Sequence, residues 1–289
     1  MGDDLGDRMK GYEARETDRA FLPYIPVYAR IDGRCFSAFT RGMQRPYDVS
    51  MSDAMIAVTK ALVDKTNAIC GYTQSDEISL AWLQADPKSE IFFAGKTQKM
   101  VSILASMATA EFMIEAMQRW PERVERRPTF DCRVFQLPNL AEGANVFLWR
   151  ERDAVKNAIS MAARHYYSHN ELHLKPGSEM QEMLFAKGIN FNDYPAFFKR
   201  GTFLQRRHVL REMTAEELAL IPEQHRPTGP IERSEVRRIP MPAFNKVTNR
   251  VRVIFHCEDP VTASPLVPTG ALGQGQSSAP KPSRSGGEG

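Results

Sequence analysis

From Tyr24 to Asp32 the chain alternates, with Ile25, Val27, Ala29 and Ile31 on one side and Tyr24, Tyr28, Arg30 and Asp32 on the other. A period of two is that of a strand with one apolar face, so Asp32 is expected at a strand end, off the core face. Residues 50 to 69 change to helical spacing, with Met55, Val58, Leu62 and Ile69 in register and Ser50 or Ser52 available as an N-cap. Two strand-like runs follow, "AICGYT" and "EISLAWL", and the joint "QSDE" between them reads as a hairpin turn. "KTQKMVSILASMATAEFMIEAMQRW" then predicts a long helix with a strongly apolar face, ended by Pro121, and "FDCRVFQLP" predicts another strand.

The predicted order is strand, helix, strand, strand, helix, strand. This is the split βαβ or ferredoxin-like arrangement, an α/β (α+β) fold with an antiparallel sheet covered on one face. Downstream, Trp149 to about His173 and Ser178 to Lys187 read as helical, while "FKRGTFLQRRHVL" and "NRVRVIFH" read as later strands. "IPEQHRPTGPIERSEVRRIPMP" reads as a Pro-rich, basic connection. From Glu258 onward Pro, Gly and Ser dominate, a composition that cannot offset ordering entropy, so a disordered tail over 258–289 is expected. The expected organisation is an N-terminal arm (1–20), a split βαβ core (21–140), a helical and basic half (141–257) and that tail.

Composition narrows the class. The 289 residues are 42% hydrophobic and 25% charged, enough for a real core, and 38 Lys and Arg against 35 acidic residues give +3, so any basic surface must be local. The four cysteines, Cys35, Cys70, Cys132 and Cys257, form no CxxC pair, which argues against a zinc site or a disulfide framework and fits a reducing cytoplasm. The charged N-terminus does not read as a signal peptide, and no apolar run approaches the roughly 20 residues that span a bilayer. A cytoplasmic protein without a membrane partner is expected.

In a split βαβ sheet the first strand lies beside the hairpin, so Asp32 of "RIDGR" and Asp76 of "QSDE" are placed to converge. Two carboxylates with a backbone carbonyl and phosphate oxygens suit Mg²⁺, and a pair of such ions serves phosphoryl transfer. Each piece alone also reads as an ordinary turn. Gly33 lets a backbone approach a triphosphate, and "GRCFS" offers successive N–H groups. Lys96 and Lys99, one helical turn apart, read either as triphosphate ligands or as a solvated face, and Arg133 as a phosphate contact or an ion pair with Asp131. His165, His169 and His173 form an i, i+4 stripe that reads as a metal site or as helix surface and nucleic-acid contact. Basic clusters "FKRGTF", "LQRRHVLR" and "RSEVRR", interleaved with Phe197, Phe198 and Phe203, suit an RNA backbone, though such runs are often merely solvated.

Five motifs in order, "RIDGRCFSAF", "GYTQSDEISLAW", "KTQKMVSILAS", "FDCRVFQLP" and "EMLFAKGINFNDYPAFFKRGTFL", resemble the tRNA-histidine guanylyltransferase family and its "like proteins" over residues 21 to 207. The resemblance implies reverse polymerases that add nucleotides to the 5′ end of tRNA, on a palm-like domain, commonly as tetramers. By motif it implies that Asp32, the Gly33 carbonyl and Asp76 hold two Mg²⁺ ions, with Glu77 supporting catalysis. It implies that the backbone of Arg34, Cys35, Phe36 and Ser37 cradles a nucleoside triphosphate such as GTP or ATP. Arg45 would lie near the base; Ser75, Lys96, Lys99, Asp131 and Arg133 would bind a second nucleotide or the activated 5′ end; Asn157, Lys199 and Arg200 would contact tRNA.

The chain also departs from the pattern. Eukaryotic guanylyltransferases carry "HINNLYN" where this chain has "WRERDAVKNAISM", so Val155 stands for the expected His and only Asn157 remains of an Asn pair; Ser37 replaces another His. These losses point to the like-protein branch, which resembles a template-dependent repair enzyme for 5′-truncated tRNA. The rivals are histidine-tRNA guanylylation, a nucleotide cyclase on the same palm, and a tRNA-binding module with a decayed site.

Overall fold

The computed structural model describes residues 3–263. A first helix, α1 (Asp4–Thr17), occupies the expected arm; Asp3 caps it and none of its residues is buried. Then come β1 (Val27–Arg34), a single turn α2 (Phe36–Phe39), α3 (Val49–Thr66), β2 (Cys70–Gln74), β3 (Glu77–Trp82), α4 (Thr97–Arg119) and β4 (Thr129–Gln136). The cap of α3 is Asp48, which accepts from the Met51 N–H at 3.0 Å, rather than either serine.

All strands pair antiparallel, in the order β4-β1-β3-β2 for this unit, as the split βαβ pattern predicts. The second half adds α5 (Leu140–Tyr166), α6 (His169–Leu172), α7 (Gly177–Ala186), α8 (Ala196–Arg200), β5 (Thr202–Arg211), α9 (Ala215–Ala219), β6 (Ile231–Ile239) and α10 (Arg250–His256). Strands β5 and β6 extend the same sheet beyond β2, so the two halves share one six-stranded sheet.

The alternation read in β1 decides the layers. Val27, Ala29 and Ile31 join Ile78, Leu80 and Trp82 under α3 and α4. Tyr28 points to the opposite face, where Tyr72, Phe203, Phe147, Phe244 and Ile254 make a second core beneath α5 and α10. The sheet is therefore covered on both faces, not one. Helix α4 is, by length and composition alone, apolar enough to cross a membrane, contrary to the sequence expectation. Met100, Leu104, Ala108, Phe112 and Ala116 nonetheless recur every fourth residue and bury one side of it on the sheet.

Three segments differ from the pattern read in the sequence. "NRVRVIFH" is α10, not a strand: Val253, Ile254 and Phe255 are buried, and the Gln205 side chain donates to the Val253 carbonyl at 2.7 Å. The supposed basic connection contains β6, whose partner β5 supplies a nine-residue register. Helix α5 stops at Tyr166, where Ser168 caps a new turn, so His165 leaves the stripe with His169 and His173. Residues Glu258 to Ala263 fold back, with the Thr248 N–H donating to the Val261 carbonyl at 2.8 Å and Thr262 bridging Val247. The rest of the expected tail lies outside the described residues.

Candidate active site

The site forms where β1 ends beside the β2–β3 turn. Asp32 lies opposite Glu77 in the β1–β3 register and opposite Asp131 in the β1–β4 register. Ser75 and Asp76 make a two-residue turn in which Ser75 takes φ 50°. The Gly33 N–H donates to the Asp76 carbonyl at 3.1 Å, which fastens the turn to the strand end. A Cβ on Gly33 would come within 2.3 Å of the Phe36 ring. Phe36 is packed among Phe39, Phe112 and Phe130 with centroids 5.0–5.7 Å apart, so this glycine allows the chain to turn directly over the core.

Electrostatics single out the two aspartates. Burial pushes the Asp32 carboxyl up, and Asp131 adds to the rise against the opposing pull of Arg133 and Arg30. Burial likewise raises Asp76, where Asp32 contributes in the same direction and the Ser75 hydroxyl, donating at 3.0 Å, opposes it. Neither carboxylate has a salt-bridge partner among the described residues, unlike Glu77. Glu77 is fully engaged: Arg150 of α5 donates to both of its oxygens at 2.6 Å, both side chains are buried, and Arg150 also reaches Asp153 at 2.9 Å. Burial raises Glu77 and the Arg150 guanidinium opposes the rise. Its geometry is that of a positioning residue holding the start of β3 to α5.

A cavity of about 380 Å³ opens beside the turn, within the size range of small-molecule sites. It brings together Ser37, Arg45, Ser75, Asp76 and Asn157, with the side chain of Phe36 at its edge. Its apolar wall is Met51, Met55, Met161 and an aromatic cluster in which Tyr47 meets Phe198 at 4.9 Å and Phe197 at 5.4 Å. Cys35 sits at φ 57° as α2 begins, and the Phe36 and Ser37 N–H groups, the first donors of that turn, have no hydrogen-bond partner among the described residues.

Asp131 and Arg133 lie on the other side of Asp32, on β4, 3.6 Å from each other. Arg34 is exposed at the end of β1. Lys96 and Lys99 are not brought to the carboxylates within this chain. Lys96 bridges Ala20, at the opposite end of β1 from Asp32, and Lys99 lies 5.8 Å over the Phe93 ring. Lys199 and Arg200 lie on α8, behind Phe197 and Phe198; Lys199 donates to the Asn192 carbonyl.

Much of the expected RNA face is engaged in bonds within the chain. Arg206 bonds the Asp64 side chain at 3.0 Å, Arg207 the carbonyls of Cys257 and Glu258, Arg211 the Glu217 carboxylate and Arg238 Asp53 at 3.2 Å. Phe203 is core. Among the described residues no three His, Cys, Asp or Glu side chains converge as a metal site, so the histidines form none. Two hard carboxylates and a carbonyl, lacking a third side-chain ligand, match Mg²⁺ sharing its shell with phosphate and water. Sequence reasoning missed Arg150, Tyr47 and Met161; the one local signal was the place of Tyr47 two residues after Arg45.

The family model for tRNA(His) guanylyltransferase matches residues 6–138. A bacterial tRNA(His) guanylyltransferase-like protein in complex with ATP superposes with a TM-score of 0.67 and 36% identity, covering 70% of this chain and 88% of that one. Another, in complex with GTP, gives 0.64 and 31%, covering 84% and 95%. The tRNA(His) guanylyltransferase of Saccharomyces cerevisiae gives 0.60 and 26%, covering 73% and 99%. With this palm, this strand junction and these relatives, the chain belongs to the tRNA(His) guanylyltransferase family of nucleotidyltransferases.

Proposed function

We propose that this protein adds nucleotides to the 5′ end of tRNA in the 3′ to 5′ direction, and that its substrate is tRNA truncated at that end, with the opposite strand as template. The observation that carries the reading is the Asp32 and Asp76 pair: both are raised by burial, neither is in a salt bridge among the described residues, and Asp76 stands in the wall of a cavity of about 380 Å³. The preference for repair rests on Ser37 and Val155, which stand where histidine is expected for guanylylation. The higher identity to the two like proteins, 36% and 31% against 26%, points the same way.

Asp32, Asp76 and the Gly33 carbonyl would hold Mg²⁺, which when bound supplies charge neutralisation at the reacting phosphoryl group. The chain's own residues do the rest by position. The Phe36 and Ser37 N–H groups point anion-binding dipoles at a triphosphate, the Met and aromatic wall receives a base, and the Glu77 to Arg150 pair fixes the strand that carries Asp76. A nucleoside triphosphate first transfers its nucleotidyl group to the 5′ monophosphate and releases pyrophosphate; the 3′ hydroxyl of the incoming nucleotide then attacks that 5′ phosphorus, losing its proton to solvent, forming the new phosphodiester and expelling the nucleoside monophosphate.

We also propose self-association, as a tetramer, with α4 in the contact. Its outward side carries Ile103, Ser106, Ala110, Ile114 and Met117. An antiparallel second copy centred on Ala110 would set Ile103 against Met117 and Ser106 against Ile114, the self-complementary pairing of a two-fold contact.

The substrate is tested by offering intact and 5′-truncated tRNAs with each nucleotide and sequencing the 5′ ends. Template-matched extension of truncated tRNA supports repair. A single guanosine on intact histidine tRNA, with no extension of truncated tRNA, overturns it.

A further inference from the structure

Three tryptophans occur in the chain, and two are buried, Trp82 at 1% and Trp120 at 9% exposed. Trp149 is different: it is 49% exposed, on α5, one residue before the Arg150 that clamps Glu77. The Arg30 guanidinium lies 5.4 Å from the centre of its ring and that of Arg150 4.5 Å. Arg30 is two residues from Asp32 on the same side of β1, and its register partner on β4 is Arg133. An exposed indole is thus set among arginines on the β4 side of the carboxylates. The cavity containing Asp76 and Asn157 lies on the other side of α5.

Joining a nucleotide to an RNA end needs two seats flanking one reacting centre. The cavity is enclosed by α3, α5 and α8 and suits a free nucleotide. The Trp149 side is open, as a seat must be when its occupant continues into a long polymer. Flat indole and guanidinium surfaces stack on the exposed face of a base at a strand end, and arginines beside them take the adjoining phosphates.

We propose that Trp149, with Arg30 and Arg133, is a stacking ledge for the base of the 5′-terminal nucleotide of the acceptor RNA. The assignment rests on the proposed function, since it presumes an RNA end at Asp32. It gives the half-exposed indole, beyond its contacts with Arg30 and Arg150, a ligand of defined chemistry.

Because Trp149 is the one exposed tryptophan, its fluorescence reports the ledge directly. In the RNA-free protein, iodide should quench the exposed component. A 5′-truncated tRNA should then quench the emission and shield it from iodide, ATP or GTP alone should do neither, and the same tRNA with an abasic 5′-terminal residue should lose the effect. Trp149→Ala should weaken binding of that tRNA about tenfold, in line with the loss of one stacked base, and Trp149→Phe should restore it to within about threefold. Equal tRNA binding by wild type and Trp149→Ala overturns the ledge and leaves the proposed function standing. An indole already shielded from iodide without RNA also overturns it, as does shielding by nucleotide alone. Failure of wild type to bind tRNA at all removes the proposed function as well.

Discussion

The Gly33 N–H is bonded to the Asp76 carbonyl at 3.1 Å, so the end of β1 and the β2–β3 turn move as one piece. Gly33→Ala would drive a Cβ into the Phe36 ring, 2.3 Å away, and either displace that ring from its cluster or part the two aspartates. Loss of thermal stability together with loss of nucleotide addition is expected. An alanine variant with unchanged melting temperature and activity would show that the close approach has no consequence.

Asp32 and Asp76 both have folded-state pKa values raised, chiefly by burial. A carboxyl raised in the folded state binds its proton there more tightly than when unfolded. It therefore destabilises the protein at pH above the folded value, and that penalty is relieved as pH falls through the folded value towards the ordinary carboxylate range. Asp76→Asn should raise the melting temperature at neutral pH in metal-free buffer, and the gain should shrink on acidification. Adding Mg²⁺ should stabilise wild type by mass action and stabilise Asp76→Asn much less. A gain that grows on acidification, or equal stabilisation by Mg²⁺, contradicts this.

Glu77 and Arg150 are both buried and joined by two hydrogen bonds. Removing one partner strands the other charge, at a typical cost of about 3 kcal/mol, whereas removing both is far milder. Glu77→Ala should therefore lower stability more than Glu77→Ala with Arg150→Met. Denaturant midpoints of the two single variants and the double variant provide the cycle, and simple additivity would refute the coupling.

Met161 lines the cavity and is only partly buried, so a larger side chain there fills space that a nucleotide would use. Met161→Trp should raise the KM for nucleotide about tenfold with little change in melting temperature. An unchanged KM would place the nucleotide elsewhere.

The sequence revealed the strand junction because its signals are local: alternation in β1, the hairpin at Ser75 and Asp76, and the four-residue spacing in α4. Elements decided by distant contacts were hidden. The Val251 to Phe255 run looks like a strand, yet Gln205 and the second core hold it as α10. The Pro-rich flanks of β6 mask alternation that matters only once β5 is beside it. The arginine clusters were legible as charge, but not their carbonyl and carboxylate partners, which arrive from remote segments. The Lys96 and Lys99 pair shows the converse, a motif whose spacing was plain and whose place at the far end of the sheet was not.

The most direct test is single-turnover addition of labelled nucleotide to a 5′-truncated tRNA by wild type, Asp32→Asn and Asp76→Asn with Mg²⁺. Several kcal/mol of lost charge stabilisation, at about 1.4 kcal/mol per tenfold, is expected to slow each variant by roughly 100-fold or more while the fold stays intact. Addition by either variant at the wild-type rate would contradict the assignment of Asp32 and Asp76 as the catalytic pair.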